Sequence, residues 1–160
     1  MSCGTIYYAT LDNHYVIKFV GEVRLTLCSA LDTHLEKVLA SDKCSYVLVD
    51  LTQATCLDST TLGLIAKLAI RAQHCALPKP ILVSTHEDIT RTLLSMGFDQ
   101  IFVLLDTLPD TLYELQQIPM VQESVEETQR RIIHAHKLLM SLNDSNYEAF
   151  NSLVSVLERK

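Results

Sequence analysis

Val49-Asp50-Leu51-Thr52-Gln53-Ala54-Thr55-Cys56-Leu57-Asp58-Ser59-Thr60-Thr61-Leu62-Gly63 joins an apolar run to the start of a helix. Upstream of it, Tyr46-Val47-Leu48-Val49 is unbroken by polar residues and ends at Asp50. That is the pattern of a central strand covered on both faces. Downstream, Leu62, Ile65, Ala66, Ala69 and Ala72 fall on one side of a helix expected from Ser59 to Cys75. Asp58, Ser59 and Thr60 are all residue types that cap helix N-termini. A buried strand passing through a polar loop into a helix is one half of a βαβ unit.

Working outward, the unit repeats. Pro78 and Pro80 bracket a stop, Ile81-Leu82-Val83 is another buried strand, Asp88 to Met96 has helical spacing with Gly97 as its natural end, and Ile101 to Leu105 is a last strand. Toward the N-terminus, Ile6–Ala9 and Tyr15–Val20 flank the turn Asp12-Asn13 as an antiparallel hairpin that Gly21 ends. Leu27, Leu31, Leu35, Val38 and Leu39 stripe a helix from Thr26 to Ala40, with Thr26 as its cap. The expected fold is therefore α/β, a mixed β-sheet packed with helices.

Beyond Leu105 strand signals cease. Thr111–Gln117 has the look of a short helix before Pro119. Val125, Thr128, Ile132, Ala135, Leu139 and Leu142 stripe a helix over Ser124–Leu142, and Ser124 with Glu127 has capping-box spacing. After the turn Asn143-Asp144-Ser145-Asn146, Ser145 and Glu148 repeat that spacing, and Tyr147, Phe150, Leu153, Val154 and Leu157 give a last helix an apolar face. The chain is expected to divide into an α/β domain over 1–118 and a C-terminal αα-hairpin extension over 119–160, its stripe buried against the α/β core.

Composition narrows the function classes. Of 160 residues, 48% are hydrophobic and 20% charged, an ordinary globular balance. A formal net charge of -6 lacks the basic footprint of a nucleic-acid binder and would not be drawn to an anionic membrane surface. The N-terminal segment has no basic leader or long apolar run, and no stretch reaches the ~20 apolar residues of a membrane span, so a cytoplasmic location without membrane insertion is expected. Cys3, Cys28, Cys44, Cys56 and Cys75 are odd in number and widely spaced, which suits reduced thiols better than zinc or disulfides. No phosphate-binding Gly-rich loop, nucleophile elbow or His-Glu-x-x-His occurs, so neither an enzyme nor a cofactor is expected. His14, His34, His74, His86, His134 and His136 form no ligand cluster by spacing and suit solvated or edge-of-core positions.

Ser59 is the candidate working residue. A helix N-terminus leaves backbone N–H groups unpaired and carries partial positive charge, which suits an anion. A phosphate on Ser59 would add about -1.5 to -2 charges, and Asp58 and Asp50 would repel it. A plain capping role for Asp58, Ser59 and Thr60 explains the same residues, and on local signals alone it is the favoured reading.

Resemblance adds to this. Asp50 at a strand end followed by Asp58-Ser59-Thr60-Thr61-Leu62-Gly63 resembles the core motif of STAS domains, specifically the bacterial anti-sigma-factor antagonists. Gly21-Glu22-Val23-Arg24 and Leu94-Ser95-Met96-Gly97-Phe98-Asp99-Gln100-Ile101-Phe102 resemble two further family segments, and the element order agrees over Thr5–Gln117. The resemblance implies that Ser59 is phosphorylated, and that Asp50, Asp58, Ser59, Thr60, Thr61 and Gly63 serve partner binding. It implies partner switching: the unphosphorylated protein binds an anti-sigma factor, a serine kinase ends the complex, and a phosphatase restores it. Thr61 stands where the family has Gly, which would narrow the approach to Ser59 or alter the kinase contact. The αα-hairpin is absent from minimal members; in length and tail the chain is similar to longer Gram-negative members of the HsbA type.

Rival readings have less support. A receiver domain also ends a strand on an Asp, but needs an acidic pair after its first strand, where this chain has only Asp12. A phosphotransfer histidine such as His134 belongs in a four-helix bundle, and the tail offers two helices. Cys56 has no cationic neighbour in sequence to activate it. The alternative within the same family is a soluble accessory subunit of a membrane lipid or anion transporter, which needs no phosphorylation.

Overall fold

The computed structural model describes residues 4–40, 46–109, 113–119 and 121–159. Strands β1 (Thr5–Leu11) and β2 (His14–Val23) form the expected antiparallel hairpin. Helix α1 (Cys28–Leu39), strand β3 (Tyr46–Leu57), helix α2 (Ser59–His74), strand β4 (Ile81–Val83), helix α3 (Glu87–Ser95) and strand β5 (Val103–Leu105) follow. Strand β6 (Gln116–Gln117) and helices α4 (Val125–Met140) and α5 (Asp144–Glu158) complete the chain. The sheet order is β5-β4-β3-β2-β1-β6, with β2 to β5 parallel and β1 antiparallel to both of its neighbours.

The molecule has three layers. Odd-numbered residues of the central strands, Ile17, Phe19, Val47, Val49 and Leu51, share one core with Leu31 and Leu35 of α1, Leu62, Ile65 and Leu68 of α2, and Leu93 of α3. Ala135 and Leu139 of α4 belong to that same core from the outer side. Helix α2 is thus sandwiched between sheet and α4, which explains why every residue from Thr60 to Ala69 is buried. The hairpin packs on the α/β core through part of its expected stripes: Ala135, Leu139 and Val154 are buried and Leu142 and Phe150 partly so, while Val125, Tyr147 and Leu153 stay exposed. On the opposite sheet face, Ala9, Val16, Leu48 and Val83 form a smaller cluster with Tyr46, Ile81 and Tyr113.

Several local expectations change. Asp50 does not end β3. The strand bulges there, since Lys18 pairs with Asp50 but Val20 with Gln53, and then runs beside β2 to Leu57. Gly21 does not end β2 either; it sits at φ +76 at a second irregularity, and the strand continues to Val23. Thr26 caps nothing: a 3-10 turn over Leu25–Leu27 leads into α1 without a side-chain cap. The expected helix over Thr111–Gln117 is replaced by irregular chain at 113–115 and by β6, which pairs with Tyr7 and Tyr8; Thr111 and Leu112 lie outside the described residues. Ser124 does cap α4, accepting from the Glu127 N–H at 3.1 Å. For α5 the cap is Asn143, not Ser145, and it accepts from the Asn146 N–H at 2.8 Å.

Candidate functional site

Strand β3 delivers the chain at Asp58, and α2 begins one residue later. Asp58 is the N-cap in extended conformation (φ -82, ψ 169). Its Oδ1 accepts from the Thr61 N–H at 2.9 Å and from the Thr61 hydroxyl at 2.8 Å. Ser59 is left as the first helical residue, part exposed, with its side chain free of capping duty.

Thr61 is 0% exposed. Its hydroxyl also lies 3.4 Å from the Cys28 sulfur on α1, so the residue fills a joint between two helices. Burial pushes the Cys28 thiol up to about 12, against the partial relief that the Thr61 hydrogen bond gives. Thr60 is buried as well, and Gly63 lies directly under α4. A Cβ on Gly63 would sit 2.2 Å from the Ala135 carbonyl oxygen, so only glycine permits this approach.

Asp50 is not brought beside Ser59. Its side chain shares a lining with Val16, Lys18, Leu48, Leu108 and Tyr113 on the sheet face away from the helices. Its Oδ1 accepts from the Thr52 N–H at 2.9 Å and the Thr52 hydroxyl at 2.7 Å, which secures the bulge in β3. Of the residues that the sequence singles out, Asp58 and Ser59 are together and keep some accessible surface, whereas Thr60, Thr61 and Gly63 lie beneath it.

The residue that sequence reasoning missed is His136. It lies on α4, 2% exposed, with Nε2 2.8 Å from the Ser59 hydroxyl oxygen and Nδ1 2.7 Å from the Ile132 carbonyl oxygen. The ring of Phe150 on α5 meets the imidazole edge-on, centroids 5.1 Å apart. The signal was available: His136 stands next to Ala135 and four residues after Ile132, so it borders the apolar stripe of α4. Assigning it to solvent or the core edge overlooked that α4 covers the start of α2.

Charge anchors α4 in place. Asp32 on α1 accepts from Lys67 of α2 at 2.8 Å and from Arg131 of α4 at 3.1 Å, while Glu36 and Glu123 also pair with Lys67 and Arg131 respectively. At the far end of the hairpin, the Asn143 and Asn146 side chains donate to the Met96 carbonyl at 3.2 and 2.9 Å. Among the described residues no group of His, Cys, Asp or Glu side chains is placed to hold a metal, and no helix is long and apolar enough to cross a membrane.

Comparison with known proteins agrees with this architecture. A family model described as STAS domain matches residues 6–115, which leaves α4 and α5 outside the match. An anti-sigma factor antagonist from Mycobacterium paratuberculosis is similar in structure at TM-score 0.54 and 25% identity, over 66% of this chain and 88% of that one. SpoIIAA, an anti-sigma factor antagonist solved in its unphosphorylated form, is similar in fold at TM-score 0.55 and 12% identity, over 61% of this chain and 85% of its own. No curated protein sequence matches the chain significantly.

Proposed function

The chain belongs to the STAS-domain family, and on that premise we propose that it is an anti-sigma-factor antagonist switched at Ser59. The unmodified protein binds an anti-sigma factor in the cytoplasm; a serine kinase phosphorylates Ser59 and ends the complex; a phosphatase restores it. Residues 1–118 are the STAS unit and 119–160 its helical extension. The chain acts by binding, and the nucleotide belongs to the kinase.

The observation that carries this reading is Ser59 itself: a part-exposed residue at the first position of α2, its hydroxyl released from capping because Asp58 does that work. A phosphate there places about -1.5 to -2 charges beside the Asp58 carboxylate. A partner resting on that corner would meet a changed surface, and each ~1.4 kcal/mol lost is a tenfold weaker complex. Family membership and the two antagonists of similar fold support the choice of partner class.

Calorimetry of the wild type, Ser59→Ala and Ser59→Asp against candidate anti-sigma factors at one salt concentration tests the proposal. The wild type and Ser59→Ala should bind alike, and Ser59→Asp at least about tenfold more weakly. Equal binding by all three would remove Ser59 as the switch. If no anti-sigma factor bound and a transporter ATPase were recovered instead, the accessory-subunit reading would replace this one.

A further inference from the structure

The group that touches the Ser59 hydroxyl comes from residue 136, beyond the reach of the family match at residue 115. Its tautomer follows from its neighbours. The Ile132 carbonyl oxygen can only accept, so the Nδ1 2.7 Å from it carries the ring hydrogen. In neutral imidazole Nε2 is then bare, and it accepts the Ser59 O–H across 2.8 Å. A hydroxyl aimed at a base, with the base fixed by a third group, is the arrangement that activates a nucleophile. We infer that Ser59 and His136 form a nucleophile–base pair, so that Ser59 reacts with phosphorus and acyl electrophiles far faster than an ordinary serine.

The surroundings suit that role. The base is buried and meets the ring of Phe150, while Ser59 as a residue keeps some accessible surface, and the pair requires an electrophile to enter from that side with α4 in place. Asp58, one residue away, disfavours an anionic reagent acting alone. The class of electrophile expected to react unaided is therefore uncharged. An anionic phosphoryl donor would need cations from the protein that brings it.

In the reaction with a fluorophosphonate, the Ser59 oxygen forms a bond to phosphorus and the P–F bond breaks. Fluoride leaves with the electron pair, and the serine proton passes to His136 Nε2. If a kinase presents ATP, the same proton transfer accompanies formation of the Oγ–P bond and cleavage of the bridging P–O bond to ADP. That second case rests on the proposed switching at Ser59. The first does not, so a test with the reagent can fail without touching the proposed function, and the reverse.

The test is the rate of Ser59 labelling by an uncharged fluorophosphonate in the full-length protein, followed by peptide mass spectrometry. Wild type should be labelled at Ser59 and Ser59→Ala not at all there. His136→Gln can keep a hydrogen bond to Ser59 but cannot take its proton, so labelling should fall by about 100-fold or more. A wild type that is not labelled at Ser59, or a His136→Gln protein labelled as fast as wild type, would overturn the inference. Because His136→Gln could loosen α4, Ser59→Cys gives a second measurement with the base intact. Its new thiol should lose its proton to His136 and react with iodoacetamide faster than the exposed Cys56 and Cys75. Alkylation at position 59 no faster than at Cys56 would equally overturn the pair.

Discussion

Thr61 shows how completely one side chain can be absorbed into a joint between helices. Its hydroxyl gives Asp58 a second hydrogen bond, its bulk fills the space against Cys28, and no accessible surface remains to it. Replacing it with glycine should therefore harm this protein. Thr61→Gly removes a buried hydrogen bond, a buried methyl group and some helix propensity, together about 2 kcal/mol. Urea denaturation measures it, and an unchanged midpoint would mean that α1 and α2 close over the gap. The narrowing of access to Ser59 that the sequence suggested at this position does not arise from the Thr61 side chain, which points between the helices. Ser59 is instead bordered by His136; spacing places that ring beside the α4 stripe, but its pairing with Ser59 spans 77 residues and no local pattern names the partner. What the sequence did make legible was the pair Asp58 and Ser59 at a helix start. Which of the two caps depends on backbone angles, and φ and ψ place Asp58 there.

Among the elements, α4 has the most to explain, because it lies on α2 with Ala135 against Gly63. Gly63→Ala tests this packing. Alanine favours a helix over glycine by about 1 kcal/mol, so α2 alone would gain. The new Cβ would nonetheless meet the backbone of Ala135, which cannot rotate away as a side chain could. The expected outcome is that α4 and α5 lift from α2 and lose amide-exchange protection over 125–158, while β2 and β3 keep theirs. Unaltered protection over α4 would show that the two helices can separate slightly at no cost. The existence of both tail helices was legible from their stripes, since amphipathic spacing survives whatever the helix packs against. The limits of the strands were less so. Thr52-Gln53-Ala54-Thr55-Cys56-Leu57 has no alternating apolar pattern, and it is extended because Val20 to Val23 pair alongside it. Gln116 and Gln117 likewise become a strand through Tyr7 and Tyr8, not through their own propensity.

At the scale of the whole molecule, three helices from distant parts of the chain converge on the Asp32 carboxylate, with Lys67 4% exposed between α1 and the outer layer. Burial alone would raise the Asp32 pKa; the hydrogen bonds and charges of Lys67 and Arg131 outweigh it and hold the carboxyl below the usual range. A lowered carboxylate stabilises the fold above its unfolded value of about 3.9, and that stability is lost as pH falls through the folded value. His34 acts earlier in an acid titration. Burial first, and the charge of Lys37 second, lower its pKa, and its buried Nε2 has no hydrogen-bond partner among the described residues. Below about 6.5 the unfolded chain takes up a proton that the folded ring declines, so stability falls with pH from there down to the folded value. His134 is lowered in the same sense, also chiefly by burial, but it is exposed and solvent screening reduces its weight. Urea midpoints should thus decline in two steps, one beginning near pH 6.5 and one in the acid carboxylate range. His34→Gln should flatten the first and leave the second, whereas Asp32→Asn should lower stability at neutral pH by about 3 kcal/mol and remove the second. A midpoint constant between about pH 7 and 5 in the wild type would mean that the His34 ring opens to solvent and takes its proton in the folded state. In that case the hairpin of β1 and β2, whose Tyr8 and Tyr15 enclose that ring, would be the part of the molecule that yields.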